Sequence, residues 1–205
     1  HGGIENNVKV KIEWINAEKI ETDQLINELK NVDGILIPGG FGYRGVEGKI
    51  QAIKFAREND IPFFGICLGM QLSVIEISRN LIGKQDSNST EFKTSNNPVV
   101  SLMTEWNNEN KIEKRDLTSD KGGTMRLGAY RAKLKKGSKL HNIYNRDEIS
   151  ERHRHRYEVD LSFTKDFEQK GFHFSGMSPD NVLPEVIESV NHKWFIGVQF
   201  HPELK

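Results

Sequence analysis

The spacing of apolar residues along the first part of the chain predicts strands that alternate with helices. Residues 8–12 alternate apolar and charged side chains, which is typical of a half-exposed strand, and a helical pattern follows over about 22–30. Residues 34–37 form a continuous apolar run that predicts a buried strand, and the helical period returns over about 47–58. A second apolar run over 63–66 predicts the next strand.

This alternation indicates βαβ units, in which parallel strands are joined by helices that cover the sheet. We therefore predict an α/β fold in three layers, with a mostly parallel central sheet and helices on both faces. Active sites in such sheets lie beyond the carboxyl ends of the strands, so the segments that follow the apolar runs are the first places to search for chemistry.

The middle of the chain loses this regular pattern. Residues from about 83 to 124 are mainly polar, which predicts a long surface excursion with one short strand over 99–103. Strand character returns after Leu127, and a further helix is expected near 164–170. Neither an internal repeat nor a linker divides the sequence, so residues 1–205 are expected to form a single domain.

The amino-acid composition limits which binding partners and which cellular compartment are expected. Lysine plus arginine equal aspartate plus glutamate at 29 each, so the net charge gives no reason to expect a nucleic acid or an anionic membrane as partner. One cysteine cannot form an internal disulfide, and no apolar run reaches the roughly 18 residues of a membrane span. The expected compartment is therefore the cytoplasm. Because the chain opens at His1 rather than methionine, we expect a domain excised from a longer protein.

The single cysteine lies where α/β enzymes carry a nucleophile. Residues 65–69 read Gly-Ile-Cys-Leu-Gly at the end of an apolar run, and small flanking residues permit the sharp turn that exposes a nucleophile. An isolated thiol is more commonly a small buried apolar residue. The flanking pattern instead favours a nucleophile at Cys67, and a helix N-terminus beside an imidazolium is expected to lower the pKa of its thiol.

A partner for this cysteine lies near the end of the sequence, where an apolar strand over 195–200 leads into His-Pro-Glu at 201–203. Side chains at positions i and i+2 of an extended segment point to the same side. The imidazole of His201 is thus placed to contact Cys67 through one nitrogen and Glu203 through the other. Nucleophile, base and orienting carboxylate together make a catalytic triad.

The glycine-rich loop Pro-Gly-Gly-Phe-Gly at 38–42 follows the first buried strand. It lacks both the spacing of a phosphate-binding P-loop and the Gly-x-Gly-x-x-Gly fingerprint, so a nucleotide site of those types is rejected. Beside a nucleophile turn, its better use is to present the backbone N–H of Gly40 next to the N–H of Leu68. These two donors are expected to form an oxyanion hole.

The densest cationic stretch is Glu-Arg-His-Arg-His-Arg-Tyr-Glu at 151–158. In a strand it places its arginines on one face, which predicts an anion site, and His153 and His155 on the other. The His-x-His pair is compatible with zinc, but no further ligand spacing accompanies it. No metal site is therefore predicted.

Several of these runs together resemble the class I, or triad, glutamine amidotransferases, namely the loop at 38–40, Gly-Ile-Cys-Leu-Gly-Met-Gln at 65–71 and His-Pro-Glu at 201–203. Further runs are more specific, and they are similar to the glutaminase domain of the CTP synthase family: residues 39–48, 122–128 and 151–158. The resemblance spans almost the whole chain and implies the class I glutamine amidotransferase fold.

The resemblance implies hydrolysis of L-glutamine to glutamate and ammonia through a thioester on Cys67, with His201 as acid and base and Glu203 as its orienter. No cofactor is implied for this domain. The ammonia is implied to pass to an N-terminal synthetase domain of the same chain, absent here, which uses ATP and magnesium to aminate UTP to CTP. The full-length enzyme is then a C–N bond-forming ligase of pyrimidine biosynthesis and a homo-oligomer.

Other site residues also follow from the resemblance alone. It implies that glutamine is bound by Gly40, Leu68, Gln71, Glu91 and Arg156. It also implies a loop associated with GTP as an activator, formed by Arg44, Gly45 and Glu47.

Two other classes of function are compatible with the same triad. The chain is alternatively the glutaminase domain of another class I amidotransferase, or a free-standing γ-glutamyl hydrolase. It is also compatible with a binding or regulatory module whose triad is silent. The three more specific runs favour the CTP synthase family, and the intact triad favours an enzyme.

Overall fold

The structure is a computed structural model. It describes residues 2–18, 27–102, 105–108, 111–114 and 125–204, and for the two short middle segments it describes the backbone. Its named helices are α1 (Gly2–Glu5), α2 (Val46–Glu58), α3 (Leu68–Ile77), α4 (Lys139–Tyr144) and α5 (Thr164–Gln169). A π-helical turn continues α3 over Ser78–Ile82, and 3-10 turns occur at Leu161–Phe163 and Pro202–Leu204.

The described strands in chain order are β1 (Ile35–Ile37), β2 (Phe63–Ile66), β3 (Asn88–Ser89), β4 (Pro98–Leu102), β5 (Glu105–Asn108), β6 (Lys111–Lys114), β7 (Arg126–Leu134), β8 (Glu148–His155), β9 (Tyr157–Val159), β10 (Phe172–Met177), β11 (Pro184–Ser189) and β12 (Phe195–Val198).

Seven of the described strands form one sheet, in the spatial order β1-β2-β12-β11-β10-β7-β8. β1, β2 and β12 run parallel, whereas the pairings from β12 through to β8 are antiparallel. β10, β11 and β12 follow one another through loops too short for a crossover helix, so they pair antiparallel. The predicted α/β sheet is confirmed, but its parallel pairing is confined to three of the described strands, which is less than we predicted.

Helices cover both faces of the sheet, as predicted. On one face, α2, α3 and α5 contribute Ile53, Ile75 and Phe167 to a buried apolar cluster that includes Phe63 of β2. On the other face, α4 contributes Leu140 to a second cluster with side chains of β7, β8, β11 and β12. The parallel strands are therefore fixed in position from both sides.

The helix α3 is buried along its whole length, as expected for a helix that is apolar all round. α2 lies against it, and so does the small sheet β3-β4-β9. Its only carboxylate, Glu76, is fully buried and lies 2.7 Å from the guanidinium of Arg57 on α2. This packing fixes the first turn of α3, which directly follows Cys67.

The strand predicted at 8–12 is wrong. Residues 8–16 have no regular structure, and none of the described strands pairs with them. Alternating apolar residues form a strand only where a neighbouring strand accepts their hydrogen bonds. Without one, the apolar side chains are 59%, 62% and 65% exposed at Val8, Val10 and Ile12.

The predicted helices are confirmed where the structure describes them. α2 and α5 begin and end within one residue of the predicted ranges 47–58 and 164–170. Of the helix predicted at 22–30, residues 27–29 are helical, and residues 19–26 lie outside the described part of the chain.

The polar middle of the chain contains more strands than predicted. β4 confirms the short strand expected at 99–103, but β3, β5 and β6 also lie in the stretch predicted as a surface excursion. β5 and β6 form an antiparallel hairpin, and their sequences, Glu-Trp-Asn-Asn and Lys-Ile-Glu-Lys, contain too few apolar positions to reveal a strand period. β4 also pairs with β9, which places residues 157–159 next to α3.

Candidate active site

The strand β2 ends directly in the predicted nucleophile turn. Cys67 has φ 51° and ψ −102°, a strained conformation for a residue with a side chain. A Cβ atom at Gly65 would lie 2.7 Å from the carbonyl carbon of Gly69, so the turn needs glycine there. The N–H of Cys67 donates to the carbonyl oxygen of Val198 at 2.7 Å, which ties the turn to β12.

His201 follows β12, the parallel neighbour of β2, so it lies at the same edge of the sheet as Cys67. Its backbone N–H donates to the carbonyl oxygen of Arg152 at 2.7 Å. Its Nδ1 lies 2.7 Å from Oε1 of Glu203, and its Nε2 is buried with no hydrogen-bond partner among the described residues. A carboxylate at Nδ1 keeps the proton there and leaves Nε2 as an acceptor, which is the form that a general base requires.

The glycine-rich loop lies against both the histidine and the start of α3. A Cβ atom on Gly39 would lie 2.6 Å from Cε1 of His201, and one on Gly40 would lie 3.2 Å from Cδ2 of Leu68. The loop is therefore able to approach closely because it has no side chains at these positions. This contact brings Gly40 next to Leu68, as an oxyanion hole between them requires.

The environment of the thiol differs from our expectation. Cys67 is only 2% exposed, and this burial raises the pKa of its thiol to about 12. The N–H of Leu68 lowers that pKa, while Glu158, Glu203 and Glu91 raise it further. The predicted lowering of the pKa is therefore wrong for this state of the site, because desolvation outweighs the helix N-terminus.

Three predicted glutamine-binding side chains lie around this turn and differ in burial and in hydrogen-bond partners. Gln71, in the first turns of α3, is buried and donates from Nε2 to the carbonyl oxygen of Tyr157 at 2.9 Å. Glu91 accepts at Oε1 from the N–H of Gly42 at 2.8 Å, which ties it to the glycine-rich loop. Arg156 lies between β8 and β9 and is half-buried. The structure therefore brings Gln71 and Glu91 to the edges of the candidate site.

The predicted GTP loop is held by ion pairs. Arg44 contacts Glu18 through two nitrogens, at 2.5 and 2.9 Å, and Glu47 contacts Arg79 at 2.9 Å. Gly45 has φ 64°, which favours glycine at the start of α2. The charged side chains of this loop are thus occupied by neighbours within the chain, and its role stays a prediction.

The cationic stretch alternates as predicted within β8, but the strand ends at His155, so Arg156 lies outside it and is half-buried. Arg152 and Arg154 of β8 are exposed, whereas His153 and His155 are buried on the opposite face. Of the described residues, no group of three or more His, Cys, Asp or Glu side chains is arranged to hold a metal ion. The two histidines instead contact each other, with 2.9 Å between Nδ1 of His153 and Nε2 of His155.

A buried ionic cluster behind these histidines was not identified from the sequence. Arg126 lies 2.8 Å from Glu185 and 3.2 Å from Glu158, and all three side chains are at most 2% exposed. Burial and the charge of Arg126 hold the pKa of His153 well below its usual range, so this histidine is neutral. A charged residue at the start of a strand is ordinarily solvated, and nothing in the sequence indicates its burial.

Gln199 is a second residue that the sequence analysis missed. Its side chain is fully buried, and its Nε2 lies 3.8 Å from Sγ of Cys67. A signal was present, because Gln199 is the one polar residue in the otherwise apolar run that leads into His201.

None of the described helices is long and apolar enough to cross a membrane.

Comparison with known proteins relates this site to a family. The sequence profile described as "Glutamine amidotransferase class-I" matches residues 1–205. A protein named CTP synthase from Paramagnetospirillum magneticum is 57% identical over the whole chain, and one from Nitrobacter hamburgensis is 59% identical. The chain spans 38% of the length of each of these curated relatives.

Solved structures show the same relationship. A Trypanosoma brucei structure titled "CTPS - glutaminase domain with bound acivicin" superposes with a TM-score of 0.88 and 38% identity, covering 99% of this chain and 76% of that one. A glutamine amidotransferase from Thermotoga maritima matches with a TM-score of 0.51 and 18% identity, covering 97% of this chain and 66% of that one, and shares the fold alone. The chain therefore belongs to the class I glutamine amidotransferase family.

Proposed function

We propose that this chain hydrolyses L-glutamine to glutamate and ammonia, with Cys67 as nucleophile, His201 as acid and base, and Glu203 as the residue that orients His201. One observation carries the proposal. His201 Nδ1 lies 2.7 Å from Glu203 while its Nε2 is buried without a described partner, at the sheet edge where the strained turn carries Cys67. A base with one nitrogen oriented and the other available is what activation of a thiol requires.

The burial of the thiol determines the order of the first events. Because Cys67 is protonated at neutral pH in this state, His201 Nε2 takes the sulfur proton as the sulfur attacks the side-chain carbonyl carbon of glutamine. The carbonyl oxygen becomes an oxyanion, for which the N–H groups of Gly40 and Leu68 are the proposed donors. Removal of one such donor typically lowers the rate about 100- to 1000-fold.

The same imidazole completes the reaction. The protonated His201 gives its proton to the departing nitrogen, so that ammonia leaves and a γ-glutamyl thioester remains on Cys67. A water molecule then loses a proton to Nε2 and attacks the thioester. Glutamate leaves, the proton returns to the sulfur, and the site is restored.

Charge complementarity supports the proposed substrate-binding residues. The α-ammonium group of glutamine needs a carboxylate, and Glu91 is held at the glycine-rich loop by its bond from Gly42. The α-carboxylate needs a cation, which Arg156 is able to supply. Gln71 lies on α3 within one turn of Cys67, where it borders the substrate side chain.

We further propose that the chain is the glutaminase part of a CTP synthase. The relatives that carry this name are more than twice as long, which leaves room for a synthetase domain that consumes the ammonia. In that proposal ATP, UTP and magnesium bind outside this chain, GTP acts as an activator through the loop of Arg44, Gly45 and Glu47, and the whole enzyme is a cytoplasmic homo-oligomer.

The first test is release of glutamate from glutamine by the purified chain, together with mass spectrometry for a γ-glutamyl adduct on Cys67. We expect turnover and an adduct in the wild type, and neither in Cys67→Ala. Cys67→Ser, which replaces the thiol by a hydroxyl, is the control for the shape of the turn. Undiminished turnover in Cys67→Ala would refute the nucleophile, and a folded wild-type chain with no adduct would favour a silent triad.

A further inference from the structure

Gln199 takes no part in the steps proposed above, although it is fully buried beside the nucleophile. It lies just after β12 and two residues before His201. Its backbone N–H donates to the carbonyl oxygen of Glu185 at 2.8 Å, which fixes the residue against β11. This backbone hydrogen bond positions Gln199 without its side chain, so the side-chain amide is available for contacts of its own.

The side-chain amide of Gln199 bridges two residues of the nucleophile turn and α3. Its Nε2 lies 3.8 Å from Sγ of Cys67, and its Oε1 accepts from Nε2 of Gln71 at 3.1 Å. The hydrogen-bond chain fixes which end of the amide faces the sulfur. Gln71 Nε2 also donates to the carbonyl oxygen of Tyr157 at 2.9 Å, and a carbonyl oxygen only accepts. Gln199 therefore turns its oxygen to Gln71 and its NH₂ group to the sulfur.

The ionisable groups that face the sulfur are mostly acidic. Glu158 on β9, Glu203 after β12 and Glu91 after β3 each disfavour a negative charge on Cys67. The carbonyl oxygen of Arg154 on β8 lies 3.9 Å from Sγ and accepts from the S–H group, so it also favours the neutral thiol. The backbone N–H of Leu68 lowers the pKa of the thiol. The NH₂ group of Gln199 is a second N–H donor that points at the sulfur.

We propose that Gln199 is a positioning residue for the nucleophile: its N–H group holds the sulfur of Cys67 and stabilises the thiolate that forms as His201 removes the proton. Through its oxygen, the same amide holds Gln71 in its orientation beside the substrate. The purpose of this contact rests on the proposed glutaminase function. The contact itself is testable with chemistry that needs no glutamine.

The test is the rate at which Cys67 is alkylated by two neutral reagents of different size, iodoacetamide and methyl iodide, at several pH values. Cys67 is the only cysteine of the chain, so the measured thiol is unambiguous. Gln199→Met keeps the side-chain length and removes the donor. At neutral pH we expect about tenfold slower alkylation by both reagents, which corresponds to a rise of about one unit in the pKa of the thiol.

A second variant and a matched control separate this effect from general damage. Gln199→Glu keeps an acceptor for Gln71 but replaces the donor by a carboxylate, so the slowing is expected to exceed that of Gln199→Met. Ser175→Ala removes another buried hydrogen bond of the same sheet, at 2.7 Å to Glu188. It should change the unfolding midpoint and leave the alkylation rates unchanged.

The outcomes are distinct. Equal slowing for both reagents in the Gln199 variants supports the proposal, and Gln199→Glu alone carries the test where Gln199→Met does not fold. Unchanged rates in a folded variant overturn it, as does a change in the ratio of the two rates, which would indicate altered access. A wild type that hydrolyses no glutamine but shows the alkylation effect would refute the proposed function and retain the positioning role.

Discussion

Several buried histidines near the site lie next to carboxylates, and a comparison of His201 with His153 shows why only His201 has the form of a general base. Nδ1 of His201 lies 2.7 Å from Glu203, and its Nε2 has no partner among the described residues. Nε2 of His153 lies 3.7 Å from Glu185, and its Nδ1 contacts His155 at 2.9 Å. Both imidazoles are buried, so burial and proximity to an acid do not separate them.

The difference lies in what else the carboxylate binds. Glu185 is fully buried and bound to Arg126 at 2.8 Å, and the charge of Arg126 also opposes protonation of His153. The side chain of Glu203 is 45% exposed and is directed at Nδ1 of His201. The carboxylate of Glu185 is thus engaged by an arginine, whereas that of Glu203 lies directly against the imidazole. One pair is therefore suited to proton transfer and the other to holding the fold.

The largest expected effect is the loss of the base. His201→Ala should reduce glutamine turnover by on the order of 10⁴-fold or more, because triad members act as a unit. Glu203→Ala should cost less, by about 10²-fold relative to His201→Ala, since it removes only the group that orients the imidazole. Initial rates of glutamate release by both variants provide the measurement.

Equal losses from the two substitutions would contradict this ranking and would make Glu203 a direct participant. Circular dichroism of each variant serves as the control for folding. A His201→Ala variant that retains turnover would mean that another group takes the proton from Cys67.

The next effect concerns stability rather than chemistry. Arg126→Met leaves Glu185 buried without its cation, and breaking a buried ion pair in this way typically costs about 3–5 kcal/mol. Arg131→Met is a matched control on the same strand, because Arg131 is 58% exposed and pairs with Glu148 at the surface. The control should lose no more than about 1 kcal/mol. Urea unfolding of both variants measures the two values.

Similar losses in Arg126→Met and Arg131→Met would mean that Glu185 takes up a proton at little cost and that the cluster contributes little. In that case the Arg126 cluster would not account for the difference between His153 and His201.

The residues of the proposed triad could be picked out from the sequence because their determinants are local, although Nε2 of His201 makes no hydrogen bond to Sγ of Cys67. Gly65 and Gly69 flank Cys67 within one turn, and His201 and Glu203 are two residues apart in an extended segment. The glycine-rich loop was predictable for the same reason, since two adjacent glycines after a buried strand indicate close backbone approach.

The surroundings of the thiol were not predictable in this way. Sγ of Cys67 contacts Arg154 across 87 positions of sequence and Gln199 across 132. Gln199 follows β12, the parallel neighbour of β2. The contact with Arg154 depends on antiparallel strands that bring β8 back to this edge of the sheet, and the sequence pattern did not reveal how many strands do so. The same topology places Glu158 near the sulfur, which contributes to the error in the direction of the thiol pKa.

The smallest expected effect is the contribution of His153 to the pH dependence of stability. Burial holds the pKa of His153 in the folded protein well below the usual 6.5. As the pH falls below 6.5, His153 therefore binds a proton in the unfolded chain but stays neutral in the folded one. The folded state is therefore fully favoured above about pH 6.5 and loses up to about 1.4 kcal/mol per pH unit below it. His153→Gln, which cannot be protonated, should flatten this part of the stability profile relative to the wild type.

Urea unfolding between about pH 7 and pH 5 gives the slopes, and the NMR signal of the His153 ring in the wild type should stay unchanged over the same range. A ring that titrates near pH 6.5, or parallel profiles for variant and wild type, would show that His153 is as accessible to protons as an ordinary histidine and would remove the contrast with His201.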